Sequence, residues 1–360
     1  MSTQEVLKMS SKTIPNTEKV TSSGFSETFT WGSCLMQNYR RTMQDFCISR
    51  PCIKPKTSLF AILDGFDSDE YVAFVGRNFE KTLINIEEFK NNDYKAAFLK
   101  SLEKIDLALK YPEEFLEGYY QTRIETIEKK IEQTEDRLDK RSYMMEREDF
   151  KKDFAKRKLN LFKTFCSWGG TTFLGILIDE TLNKITVANV GDSKGFVCYS
   201  DKTLKILCEI HNGLSEKESQ RIKEAGGRVF LDIKSRVYLK TSGDLGMSRC
   251  IGMDHCKQKD TVIIGTPDLN EYENHGNMDF ILIASDGVFE LKSDEEIKEF
   301  ILKRLAEKMN EGKILEELFE FVRFKEEIKG IHWTLGKDNM GAVLINFKYK
   351  TNVKIEEEKE

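Results

Sequence analysis

Three segments of this chain set a carboxylate at one end of an apolar run. Phe60-Ala61-Ile62-Leu63 leads into Asp64-Gly65, Ile281-Leu282-Ile283-Ala284-Ser285 leads into Asp286-Gly287, and Lys337-Asp338-Asn339 stands just ahead of Ala342-Val343-Leu344-Ile345. An aspartate at a strand end is held rigidly, and a following glycine lets the backbone turn away from it. One Asp-Gly pair alone is more often an ordinary turn. Three such ends point to carboxylates converging on cations, because a bare cluster repels itself and raises its own pKa values until divalent ions remove that cost. None of the four histidines, His211, His255, His275 and His332, falls in a ligand-spaced motif. The donors are therefore oxygens, which suit Mg2+ or Mn2+ and disfavour zinc.

Short β-branched and aromatic runs must position these groups. Thr171 to Ile178, Lys184 to Asn189 and Gly195 to Tyr199, split by turn residues, read as a three-stranded meander. Val262 to Ile264, Phe280 to Ala284 and Ala342 to Phe347 are too continuously apolar to face water and read as central strands. Two helix starts carry the capping-box pattern, Ser215 with Glu218 and Ser293 with Glu296, and Gly226-Gly227 ends the first helix. The second carries Ile297, Phe300, Ile301 and Leu305 on one face, to lay on a sheet.

From about 113 to 163 the composition turns to long charged side chains, with Ile124, Ile127, Ile131 and Leu138 at helical spacing and Thr134 interrupting. This reads as a long polar helix or helical hairpin, a solvated insertion whose expected role is partner or substrate contact rather than core stability. Residues 1 to 25 are expected to form a flexible arm and residues 351 to 360 an acidic tail, leaving one domain over 26 to 350.

The 56 basic and 61 acidic residues leave a net charge of -5, with no basic field to draw nucleic acid or anionic membrane. The 39% hydrophobic content supports a substantial core. Eight cysteines without a Cys-x-x-Cys pair read as reduced thiols. No window reaches transmembrane length and the start lacks a signal core, so a cytoplasmic or nuclear location is expected; a monomer is expected as well.

Eight segments occur in the order of the motifs of the metal-dependent type 2C serine/threonine protein phosphatases, which the chain resembles from Gly32 to Phe347. They are RRTMQD (Arg40 to Asp45), LDGF (Leu63 to Phe66), WGGTT (Trp168 to Thr172), ANVGDSKG (Ala188 to Gly195), EKESQRIKEAGGRV (Glu216 to Val229), GDLGMSRCIG (Gly243 to Gly252), IASDGVFE (Ile283 to Glu290) and KDNMGAV (Lys337 to Val343). The resemblance implies an α+β fold of two packed antiparallel β-sheets flanked by helices, with two Mg2+ or Mn2+ ions at one end. By position Asp64 bridges both ions, the Gly65 carbonyl binds one, and Asp286 and Asp338 bind the other. Asp45 joins this set, and Asp192 contributes to a weaker third site. Arg40 matches the phosphate-binding arginine, whose planar fork suits two phosphoryl oxygens. A dinuclear pair lowers the pKa of a shared water, so no protein nucleophile is needed, in keeping with the absence of a Gly-x-Ser-x-Gly signature. The implied substrate is a phosphoserine or phosphothreonine protein.

Two positions depart from the family pattern. Gln44 replaces a glutamate, which weakens metal affinity without removing hydrogen bonding, and Phe66 replaces a histidine that donates a proton to the departing alkoxide. The alternatives are a working phosphatase and a pseudophosphatase that serves as a binding module or adaptor. Retained carboxylates favour the first, Gln44 and Phe66 the second.

Overall fold

The computed structural model describes residues 15–67, 69–110, 121, 124–125, 127–164, 169–230, 237–238, 244–259, 261–325 and 335–347. The strands are β1 (Asn16–Phe25), β2 (Thr30–Asn38), β3 (Asp45–Lys54), β4 (Thr57–Phe66), β5 (Gly170–Thr171), β6 (Phe173–Asp179), β7 (Lys184–Val190), β8 (Lys194–Tyr199), β9 (Leu204–Ile206), β10 (Arg228–Val229), β11 (Val237–Tyr238), β12 (Asp244–Leu245), β13 (Ile251–Gly252), β14 (Asp268–Glu273), β15 (Met278–Ala284) and β16 (Met340–Asn346). The helices are α1 (Asp69–Ile84), α2 (Glu87–Lys90), α3 (Tyr94–Ala108), α4 (Arg137–Thr164), α5 (Glu216–Glu224), α6 (Asp254–Lys259), α7 (Asp294–Ala306) and α8 (Glu311–Val322).

One antiparallel sheet runs β1-β2-β16-β15-β8-β9, and the other runs β13-β5-β4-β6-β7-β14 with β3 also paired to β4. Side-chain alternation explains why the central strands are apolar on both faces. In β15, Ile281 and Ile283 face the core between the sheets, while Phe280, Leu282 and Ala284 face α7 and α8. In β4, Phe60 and Ile62 enter the inter-sheet core, while Leu59, Ala61 and Leu63 meet Val75 and Phe79 of α1 and Phe98 of α3. The result is an α-β-β-α sandwich, the α+β architecture expected.

Several expectations need correction. Residues 16 to 25 are not a loose arm but the edge strand β1, with Val20 opposite Leu35 and Phe25 opposite Thr30. An edge strand with one wet face needs little apolar content, so composition hides it. The meander is split: β6 pairs with β7, but β8 crosses to the other sheet and pairs with β15. Gly191, at φ +119°, makes the crossing, a backbone conformation that favours glycine. Val262 to Ile264 is not a strand; Val262 and Ile263 plug a small cluster with Ile222 and Cys250, and Ile264 makes a single bridge to Arg249.

The α7 capping box is complete. That of α5 is half formed: Ser215 Oγ accepts the Glu218 N–H, but the Glu218 carboxylate turns inward to Arg249, Arg221 and Ser248. Gly226, in the left-handed region, and Gly227 close α5 by returning their N–H groups to Lys223 and Ile222.

The charged insertion is a helical hairpin. Residues 127–133 are helical, and Asp136 caps α4 by accepting the Leu138 and Asp139 N–H groups. Arg147 then reaches back to Glu128 at 3.7 Å, and Lys130 lies over the Tyr143 ring. Its apolar residues divide: Leu138, Met144 and Met145 are exposed, Ile127 and Ile131 are buried, and Phe150 packs on the core cluster under α1 and α3. The hairpin is therefore tied to the body. The described cysteines are free thiols, five of them buried, while Cys166 and the acidic tail lie outside the described residues. No helix among the described residues is long and apolar enough to cross a membrane.

Candidate active site

The register of β3 on β4 sets Asp45 directly across from Asp64. The Asp64 backbone is fixed on its other side by Thr172, between β5 and β6: its N–H donates to Thr172 Oγ1 at 3.0 Å, and its carbonyl accepts the Thr172 N–H at 2.8 Å. The Gly65 N–H donates to the Gln44 carbonyl at 2.8 Å, and a Cβ at Gly65 would stand 2.8 Å from both that oxygen and Val72 Cβ. Only glycine lets this strand end lie so close to α1.

From the other sheet, β15 ends at Ala284 and Asp286 opens a short 3-10 turn, Asp286–Val288. Asp338 approaches from the segment before β16. Asn38 steadies that segment, its amide donating to the Gly336 and Asp338 carbonyls at 3.0 and 2.9 Å. Carboxylate oxygens of Asp286, Glu290 and Asp338 lie within 4.8 Å of one another. The Arg40 guanidinium, half exposed, forms an ion pair with Asp338. Asp192, in the turn between β7 and β8, shares a cleft of about 390 Å³ with Lys194, Asn212, Gly246, Asp286 and Glu290.

The electrostatics follow from this crowding. Burial pushes the Asp64 carboxyl well above its usual range, and Asp45, Asp286, Asp338 and Asp192 push the same way. Burial likewise raises Asp45, against a hydrogen bond from Ser285, with Asp338 and Asp286 adding to the rise. For Arg40 burial opposes the charge, but Asp338, Asp286 and Asp64 outweigh it and hold the guanidinium above its ordinary value. The cluster also has an orphan. Asp45 is 4% exposed; its Oδ2 accepts the Ser285 hydroxyl at 2.6 Å, while its Oδ1 has no hydrogen-bond partner among the described residues. A buried carboxylate oxygen left bare is costly, and an all-oxygen donor set around it fits a hard divalent cation.

Asp45, Asp64, Asp286, Asp338, Arg40 and Asp192 are thus brought to one end of the sandwich. Phe66 is turned to other work, its ring over Gly170 and packed on the cluster of Ile222, Cys250 and Val262. Three contributors were not singled out in the sequence. Glu290 lies four residues beyond Asp286, about one helical turn, and a search for acids at that spacing finds it. Ser285 donates to Asp45 and accepts the Gly341 N–H at 3.0 Å. Asn339 ties the Gln44 N–H at 2.9 Å to the Gln37 carbonyl at 2.7 Å. Trp168 of the WGGTT segment lies outside the described residues.

Fold and site together define an α-β-β-α sandwich protein with an acidic, oxygen-only cluster where its two sheets meet. Residues 113–324 match the family model described as Protein phosphatase 2C. The chain is 27% identical over 340 residues to "Probable protein phosphatase 2C 5" of Paramecium tetraurelia, spanning 93% of this chain and 98% of that one. It is 26% identical over 315 residues to "Protein phosphatase 2C 1" of the same organism, spanning 85% and 87%. Its fold is similar to that of a serine-threonine phosphatase 2C from Toxoplasma gondii, with a TM-score of 0.60 at 14% identity over 92% of this chain and 99% of that one. The chain belongs to the protein phosphatase 2C family.

Proposed function

We propose that the protein hydrolyses phosphoserine or phosphothreonine on protein substrates with the help of two Mg2+ or Mn2+ ions, a third being held more weakly. The observation that carries this reading is the convergence of Asp45, Asp64, Asp286 and Asp338 around a bare buried oxygen, with Arg40 in contact with the group. Asp64, the Gly65 carbonyl, Asp286, Asp338 and Asp45 would hold the pair, and Asp192 with Glu290 the weaker ion. When bound, such ions supply a water of lowered pKa and neutralise charge developing on phosphoryl oxygens. Arg40, already charged and half exposed, orients the phosphoryl group through its fork once released from Asp338. Water oxygen forms the new bond to phosphorus as the bond to the serine or threonine oxygen breaks. That departing oxygen needs a proton to give the free hydroxyl and inorganic phosphate, and Phe66 has none to give.

The packing of Phe66 into an apolar cluster favours a second reading, a pseudophosphatase that uses the cleft as a binding module. Assay of the purified protein on nitrophenyl phosphate and on phosphoserine peptides, with and without Mn2+, separates the two. Mn2+-dependent turnover of either substrate supports the enzyme, and none at saturating Mn2+ supports the binding module.

A further inference from the structure

The imidazole of His211 is fully buried and is held through Nδ1. Its Nδ1 accepts the Gly191 N–H at 3.1 Å, so the ring proton belongs on Nε2, which lies 3.3 Å from Asp268 Oδ2 as a charge contact, without hydrogen-bond geometry to any described residue. The His211 backbone N–H donates to the Gly191 carbonyl at 3.0 Å, where Asn189 Nδ2 also donates at 3.2 Å. Both backbone polar groups of Gly191 are therefore fixed by His211, and the next residue is Asp192.

Behind the histidine the network continues inward. Asp268 Oδ1 accepts from Arg249 Nη1 at 3.0 Å, Arg249 grips Glu218 through Nε and Nη2, and the Glu218 carboxylate also takes the Ser248 hydroxyl at 2.6 Å. Ser248 in turn donates its N–H to the His211 carbonyl at 2.8 Å. This buried network joins α5, β14 and the segment that carries Gly246, and it meets the cleft at the Gly191–Asp192 turn. Gly191 has a left-handed φ, so nothing in its own preferences fixes the turn in one conformation.

We propose that His211 is a positioning residue whose Nδ1 holds the Gly191–Asp192 turn so that the Asp192 carboxylate faces Asp286 and Glu290 across the cleft. The inference rests on the reading of Asp192 as a ligand of the weaker ion. A hydrogen-bonding group behind a ligand commonly changes metal affinity by about 10- to 100-fold when removed.

The shapes of the amides give the test. Asn at position 211 sets its oxygen near where Nδ1 stands and keeps the acceptor for Gly191, whereas Gln sets its amide nitrogen near Nε2 and keeps only the group toward Asp268. Full-length wild type, His211→Asn, His211→Gln, His211→Leu and Asp192→Ala are compared by Mn2+ calorimetry and by amide hydrogen exchange over residues 190–193. The expected result is that Gln and Leu lose exchange protection and weaken the last Mn2+ step by about tenfold or more, as Asp192→Ala does, while Asn stays near wild type. Gln with wild-type exchange and titration, or Asn as unprotected as Gln, overturns the proposal. Should Leu fail to fold, the contrast between Asn and Gln still decides. If Asp192→Ala leaves the Mn2+ titration unchanged while Gln alone opens residues 190–193, His211 is upheld as the holder of the turn and the metal reading of Asp192 falls.

Discussion

The fate of Phe66 separates two chemistries at a single position. Loss of a general acid typically removes a factor of about 100 to 10,000 in rate. The penalty depends on the leaving group, because nitrophenolate departs without a proton and a serine alkoxide does not. The protein is therefore expected to cleave nitrophenyl phosphate well and phosphoserine peptides poorly, with Phe66→His narrowing the gap. Equal turnover of both substrates by the wild type shows that another group donates the proton. On the proposed reading Asp286 is a metal ligand: Asp286→Ala is expected to remove most Mn2+ binding by calorimetry, and an unchanged isotherm would refute the assignment. Asp64, Asp286 and Asp338 were legible in the sequence because each stands beside an apolar strand. Ser285, Asn339 and His211 were not, since a single polar residue acquires meaning only from what the fold sets opposite it.

At the scale of elements, the strands of the sandwich centre were readable wherever alternate residues meet different cores, as in β15 and β16. Edge strand β1 and the crossing of β8 were not, because both depend on partners distant in the chain. The capping box at Ser215 shows a local pattern overruled: Glu218 serves the buried network rather than its own helix start. Burial works against its charge, but Arg249, Arg221 and Ser248 hold its carboxyl down to about 2. A depressed folded pKa contributes stability that is complete above the unfolded value, 4.5, and is lost as pH falls toward about 2. Wild type should therefore lose more stability than Glu218→Gln between pH 5 and pH 2 in urea titrations; parallel losses would show that the network carries none of the acid sensitivity. At neutral pH Glu218→Ala, which takes away the acceptor of Arg249 Nε and Nη2 and leaves that guanidinium to Asp268, is expected to cost about 1.5 to 3 kcal/mol. The hairpin makes the complementary case. Its charge suggested an appendage, yet Phe150 reaches the core cluster, so Phe150→Ala is expected to cost about 1 to 2 kcal/mol, and a melting temperature equal to wild type would return the hairpin to the status of a solvated extension.

For the whole molecule, the two sheets bring together at one end carboxylates that are distant in sequence, and the cost of doing so falls on folding itself. Asp45 and Asp64 face each other across β3 and β4, Asp286 and Asp338 add their charges from the other sheet, and one Asp45 oxygen is left without a partner among the described residues. Arg40 offsets part of this through its ion pair with Asp338, but one exposed guanidinium does not balance the cluster. Stability and metal loading are therefore linked. A ligand that binds only the folded state stabilises it by about 2.7 kcal/mol at a hundred times its dissociation constant, and for a domain of this size that corresponds to a rise of roughly 4 °C in melting temperature. Mn2+ is expected to produce such a rise in the wild type. Asp286→Asn is expected to behave in the opposite way. Freed of one repelling charge, it should melt about 2 °C above the wild type in chelator and then gain little from Mn2+, since on the proposed reading the charge it lacks is among those that hold the ions. The sign in chelator is the sharp part of the test, because a carboxylate whose role is structural destabilises the fold when neutralised. If Asp286→Asn melts below the wild type without metal, the cluster is held together by contacts that favour the charge, and the strain that cations are required to relieve does not exist.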